Sequence, residues 1–154
     1  MNRGIQLLLD SFAVIFLLTG GAKLLNVLDD SLMLRVQDPV FSFMRSGHLH
    51  TIVELLELAL ASVILTRRLT PYVSAFSCAL LSSAFLVYRL AIAFGDSGAY
   101  CGCLAGLDKI FGWSTEQAST VSLGILAYVL VGSYAALVFG KPTVLEARDA
   151  QGAS

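Results

Sequence analysis

Residues 7–28 read LLLDSFAVIFLLTGGAKLLNVL. Asp10 and Lys23 are the only charges in that run. About 20 predominantly apolar residues cross the hydrocarbon core of a bilayer, so the stretch reads as a transmembrane helix. Met1-Asn2-Arg3 ahead of it resembles the n-region of a signal peptide. Asp10 interrupts the apolar stretch and no clear Ala-x-Ala cleavage site follows, so the span is expected to be retained.

Three further runs have the same character: 49–65, 71–94 and 115–139. The 154-residue chain is 56% hydrophobic and only 14% charged, whereas soluble domains carry about 25% charged residues. The expected fold is all-α: a polytopic four-helix membrane bundle over residues 1–140, with a polar tail over 141–154. Pro71 opens the third helix. Ser114 and Gln117 fit a capping box, which starts the fourth near Thr115. Ala75, Ala79 and Ser83 on the third, and Gly132 and Ala136 on the fourth, are small residues suited to close packing. In the connection between the first two spans, Asp38 suits an N-cap, Pro39 a first helical position and Gly47 a helix end. A short helix at the membrane surface is expected there, with Val40, Phe41, Phe43 and Met44 as its apolar residues. The net charge of −1 offers no basic patch for nucleic acid.

Four spans put both termini on one side. Arg3, Arg67, Arg68, Lys141 and Arg148 share that side, against Arg35, Arg45 and Lys109 in the two long connections. The short connector Thr66-Arg67-Arg68-Leu69-Thr70 weighs most under the positive-inside rule. The termini are therefore expected in the cytoplasm, and the long connections on the outer, oxidising side.

Four charges fall within the outer halves of the spans: Lys23, Glu54, Glu57 and Arg89. A charge at the centre of a membrane helix costs about 2.5–3.5 kcal/mol on insertion scales. Two positive and two negative groups neutralise one another if they meet, and Glu54 and Glu57 share a helix face at i and i+3. A buried ionic cluster is expected. The competing reading has Lys23 and Arg89 snorkelling to the interface. His48 and His50, at i and i+2, do not share a helix face, so no metal site is expected there. Cys78 lies mid-helix and reads as a packing residue.

The remaining two of three cysteines stand in Ala99-Tyr100-Cys101-Gly102-Cys103-Leu104-Ala105-Gly106, a polar gap between spans. Residues i and i+2 lie about 7 Å apart when extended. A bend, sterically free at Gly102, brings them into the disulfide range of about 4.4–6.8 Å. So small a ring is strained, and strained exposed bridges are the labile ones. Lys109 and Arg89 are cations that favour a thiolate. Exchange chemistry is one reading of the pair. A static bridge or packed thiols is the second. A metal site is the weakest, because two thiolates need further ligands and the loop offers only Asp96 and Asp108.

Gly20-Gly21-Ala22-Lys23-Leu24, Asp38-Pro39-Val40-Phe41, Glu54 with Glu57, and Cys101-Gly102-Cys103-Leu104 occur in an order that resembles the MauE/DoxX family of redox-associated membrane proteins, from about Asp10 to Phe139. The resemblance implies a four-helix membrane bundle, a functional cysteine pair at Cys101 and Cys103, and a helix 1 lysine at Lys23. For MauE-like members it implies a link to methylamine utilisation, through disulfide formation or maturation of a periplasmic dehydrogenase subunit. For DoxX-like members it implies quinone-linked oxidation of sulfur compounds, and quinone is the only cofactor that it suggests. Tyr100 stands where family loops often carry proline, and Ala105 separates Leu104 from Gly106. The Cys-x-x-Cys of vitamin K epoxide reductase-type proteins is absent.

Three functions follow. The first is thiol–disulfide exchange by Cys101 and Cys103, with Gly102, Tyr100 and Lys109 in support, on a periplasmic thioredoxin-like or disulfide-containing partner. The second is a non-catalytic or quinone-linked subunit braced by a structural bridge. The third is a small transporter or binding protein built on Lys23, Glu54, Glu57 and Arg89. The expected location is the bacterial inner membrane.

Overall fold

The computed structural model describes residues 3–29, 38, 40–41, 46–94 and 112–140. They form four helices: α1 (Arg3–Asp29), α2 (Ser46–Leu65), α3 (Pro71–Phe94) and α4 (Thr115–Phe139). No strand occurs among the described residues. All four are long and apolar enough to cross a membrane, and the fold is an all-α polytopic bundle. α1 starts at Arg3 rather than Leu7, and α2 at Ser46 rather than Leu49. Backbone groups near the membrane surface still need partners, so helical bonding runs past the apolar core. Of the short helix expected after Asp38, only Val40 and Phe41 are described, and neither is helical; Gly47, expected at a helix end, lies in the first turn of α2. Phe43 and Met44, the Cys-Gly-Cys loop and the polar tail lie outside the described residues.

The helix boundaries follow local chemistry. The Ser114 hydroxyl accepts from the Gln117 N–H at 3.3 Å, and Gln117 Oε1 accepts from the Ser114 N–H at 3.0 Å. This capping box starts α4 at Thr115. Pro71 occupies the first position of α3, where its missing N–H is no loss. Thr70 precedes it and accepts from the Ser74 N–H through its carbonyl at 3.0 Å. α2 stops where Arg67 takes a left-handed backbone, φ 53°. Its N–H donates to the Ile64 carbonyl at 3.0 Å. The Arg67 side chain then turns to α1. It approaches Asp10 at 3.8 Å, and with the Gln6 amide oxygen turned toward the guanidinium, Gln6 accepts from Nη1 at 2.6 Å.

Packing is uneven. α1 lies close along α2 and α3 close along α4, while α1 touches α3 more sparingly and the pairs α2–α3 and α1–α4 meet only at a few points. Leu9, Phe12, Ala13 and Phe16 face the centre from α1, at the i, i+3, i+4, i+7 spacing of one helix face. Ala61 and Ile64 meet them from α2, Ala75 and Cys78 from α3, Val129 and Ala136 from α4. The buried face of α3 runs Ser74, Ala75, Cys78, Ala79 and Ser82. Ser83 is rotated off it, and its hydroxyl lies 3.3 Å from that of Tyr134. Leu7, Leu55, Leu80, Val87, Val131 and Val138 point outward, as lipid-facing residues do.

Between helices in lipid no hydrophobic force operates, so close van der Waals fit matters more. Phe12 is fully buried, and its ring meets Tyr128 edge-on, centroids 5.5 Å apart. It fits because Gly132 has no side chain: a Cβ there would lie 2.6 Å from Phe12 Cζ. Gly132→Ala should therefore lower stability by about 1–3 kcal/mol through overpacking. Gly124, on the same helix, has nothing within 4 Å of an added Cβ. Gly124→Ala should be stabilising by about 0.5–1 kcal/mol, the helix preference alone. Thermal unfolding of both variants in one detergent checks the contrast.

Candidate functional site

α1 turns from an apolar to a polar face at Thr19-Gly20-Gly21-Ala22-Lys23. Gly20 lets α2 come close: a Cβ there would sit 3.3 Å from both Glu57 Oε2 and Leu58 Cγ. Lys23 and Glu57 then meet across the gap. Lys23 Nζ donates to Glu57 Oε1 at 2.9 Å and to Oε2 at 3.2 Å. Both side chains are buried, at 8% and 3% exposure. Thr19 donates to the Ile15 carbonyl at 2.9 Å, and its oxygen lies 3.5 Å from Glu57 Oε2. The Phe85 ring adds a cation–π contact, with its centroid 5.5 Å from Nζ.

Of the four intramembrane charges, the structure brings Lys23 and Glu57 into one ion pair. Glu54 lies on the same face of α2, only 1% exposed. Its Oε2 has no hydrogen-bond partner among the described residues. Arg89 turns the other way, to α4. Its Nη1 donates to Ser122 Oγ at 2.9 Å, and its Nη2 to Ser119 Oγ at 2.7 Å and to the Ser119 carbonyl at 3.1 Å. Charge balance along the sequence gives no sign of these serines. Their i, i+3 spacing on α4 was the available signal, but serine is common in membrane helices.

Asp38 does more than cap a turn. Its Oδ1 accepts from the N–H groups of Val40 and Phe41, both at 2.9 Å, as an N-cap does. Its Oδ2 accepts from the Tyr88 hydroxyl at 2.7 Å, and the Phe41 ring stacks on Tyr88 at 6.3 Å between centroids. The first long connection is thereby pinned to α3. Burial opposes ionisation of Asp38, but the donors of Phe41, Tyr88 and Val40 outweigh it, with a smaller contribution from His50, and hold the carboxyl below its ordinary range.

Two cavities adjoin the ion pair. The smaller, about 60 Å³, lies between α1, α3 and α4, and its polar lining is Thr19, Lys23, Glu57, Ser82, Arg89 and Ser122. The larger, about 620 Å³, is a groove between α2 and α3 walled by Leu49, Val53, Leu56, Leu80 and Ala84, with His50, Tyr88 and Lys23 as polar groups. Lys23 borders both. Cys78 is buried in the apolar core, where it packs. Cys101, Gly102, Cys103, Tyr100 and Lys109 lie outside the described residues. No group of three or more metal-ligating side chains gathers among the described residues.

Removing one partner of a buried pair strands the other charge, at about 3–5 kcal/mol. Lys23→Met should lose that much stability, and Lys23→Met with Glu57→Gln should recover most of it; denaturant titration in detergent reads both. Tyr88→Phe deletes one charge-assisted hydrogen bond and should cost about 1.5–3 kcal/mol. Because Asp38 is lowered from 3.8, the stability it contributes is complete above that value and is lost as pH falls through the lower folded value. Unfolding measured down an acid series should show that loss in the wild type and not in Asp38→Asn.

No curated protein and no solved structure matches the chain. The family model described as methylamine utilisation protein MauE matches residues 1–140, which takes in all four helices. The chain belongs to the MauE family.

Proposed function

We propose that this protein exchanges thiols and disulfides with a partner outside the cytoplasmic membrane, through Cys101 and Cys103. The observation that carries the reading is positional. The connection with the pair joins the C-terminal end of α3 to the N-terminal end of α4. That is the bundle end where Lys23, Asp38 and Arg89 make their bonds. With both termini and Arg67-Arg68 cytoplasmic, this end faces the oxidising side of a bacterial inner membrane. A MauE-family role in disulfide formation or maturation of a periplasmic dehydrogenase subunit, with a periplasmic thioredoxin-like protein as redox partner, is consistent with that placement.

In the exchange, one thiolate attacks a partner disulfide and expels the partner's other sulfur as thiolate, leaving a mixed disulfide. The second cysteine, as thiolate, attacks its neighbour's sulfur in that bond. The Cys101–Cys103 bridge closes and the partner leaves with both its sulfurs reduced. We assign Cys103 as attacker, since it lies nearer in sequence to Lys109, and Cys101 as the resolving group.

The resemblance to DoxX-like proteins also implies a quinone link. The groove between α2 and α3 fits such a group: its walls are apolar, and His50, Tyr88 and Lys23 would hold the ring. In the reverse direction, where partner thiols reduce the Cys101–Cys103 bridge and leave as a disulfide, a quinone bound there would supply the two-electron, two-proton acceptor for the reduced pair.

Two measurements test the exchange reading. An impermeant thiol reagent applied to intact cells after mild reduction should label Cys101 or Cys103; labelling only after membrane disruption reverses the topology. Non-reducing electrophoresis should show a mixed disulfide with Cys101→Ser and none with Cys103→Ser. The opposite pattern inverts the roles, and no adduct with either variant removes the redox reading.

A further inference from the structure

Charge counting around the ion pair leaves one group unexplained. Lys23 brings one positive charge from α1 into the membrane, while α2 brings two carboxyls, Glu54 and Glu57. The ammonium donates to both oxygens of Glu57, so that pair is electrically complete. Glu54 lies one helical turn away, 1% exposed, with Oε2 unpartnered. The charges that act on it are Lys23 from α1 and Glu57 from its own helix. His50, one turn earlier on α2, feels Lys23 and Asp38 instead. Arg89 of α3 is bonded to α4. A second carboxylate in this low-dielectric place would be an uncompensated buried charge, which is strongly disfavoured.

We propose that Glu54 is a proton-exchange site within the membrane: it holds a proton while Lys23 sits on Glu57, and it takes a share of Lys23 when that proton leaves. The step is Glu54–COOH giving H⁺ to water and leaving Glu54–COO⁻, with the ammonium then bridging two carboxylates. The cavity of about 60 Å³ beside the ion pair exceeds the roughly 10–15 Å³ that one water needs. Glu57 and Lys23 line it beside Thr19 and Ser82, and Glu54 does not, so the proton reaches water there by way of Glu57, one turn away on the same helix. The two carboxyls behave as one coupled pair sharing a lysine and a proton. The site is independent of the cysteine pair and of the exchange reading.

Infrared spectroscopy of the protein in lipid at neutral pH, with glutamate carboxyls carbon-13 labelled, separates protonated from ionised glutamates. The wild type should show one protonated, buried glutamate carboxyl. Glu54→Gln should abolish its band. Glu57→Gln should also abolish it, because Lys23 then pairs with Glu54 and drives off its proton. Lys23→Met should double it, because Glu57 then protonates too. Cys101→Ser and Cys103→Ser should leave it unchanged. If Lys23→Met does not fold, the two glutamine variants decide. Absence of the band in the wild type, or its persistence in Glu54→Gln, overturns the proposal. Persistence in Glu57→Gln overturns the transfer of Lys23.

Discussion

A lysine ammonium inside a bilayer has to be neutralised where it stands, and Lys23 finds one partner. At about 2.5–3.5 kcal/mol for an isolated charge at a helix centre, the group is tolerable alone but much better paired. Pairing sets demands on the helices. Glu57 must project from α2 at the level of Lys23, and the backbones must approach closely enough for a bond of 2.9 Å. Gly20 meets the second demand, since a side chain there would press on the Glu57 carboxylate and on Leu58. The close packing of α1 along α2 is the structural side of the same requirement.

The other polar bonds keep that geometry from shearing. Arg89 fastens α3 to α4 through Ser119 and Ser122, and the Asp38–Tyr88 bond pins the first connection to α3. Both act at the end of the bundle that carries Lys23. At the opposite end, Phe12 seated against Gly132 and Tyr128 joins α1 to α4, and Arg67 ties the short connector back to Gln6 and Asp10. The sparse contact between α2 and α3 is also informative. α2 and α3 are linked by five residues, 66–70, yet they scarcely pack. The gap between them is the larger groove, with Lys23 at its wall.

What the sequence disclosed divides along a physical line. Features set by local chemistry were legible: the four apolar runs, Pro71 at the head of α3, and the Ser114–Gln117 box at the head of α4. Lys23, Glu54 and Glu57 were legible as a problem, because charge in lipid demands an answer, but which carboxylate answers depends on helix rotation and depth. Neither is written in spacing. Arg89 illustrates the limit. Its sign suggests a carboxylate, yet a guanidinium has five donors, and among the described residues three of its bonds go to two serine hydroxyls and a carbonyl of α4. Asp38 likewise showed its capping role in the order Asp-Pro-Val-Phe, while Tyr88, 50 residues away, could not be found by local reasoning. The Cys-Gly-Cys pair is explicit in the sequence, and its proposed role rests on family membership and chain topology.

Inside the membrane Lys23 chooses Glu57. Dipolar recoupling by solid-state NMR, in lipid bilayers, with nitrogen-15 on lysine side chains and carbon-13 on glutamate carboxyls, reads that choice directly. The prediction is a strong coupling from Lys23 Nζ to the Glu57 carboxyl carbon and a weaker one to that of Glu54 at neutral pH. A dominant coupling to Glu54, or none to either carboxyl, would contradict it.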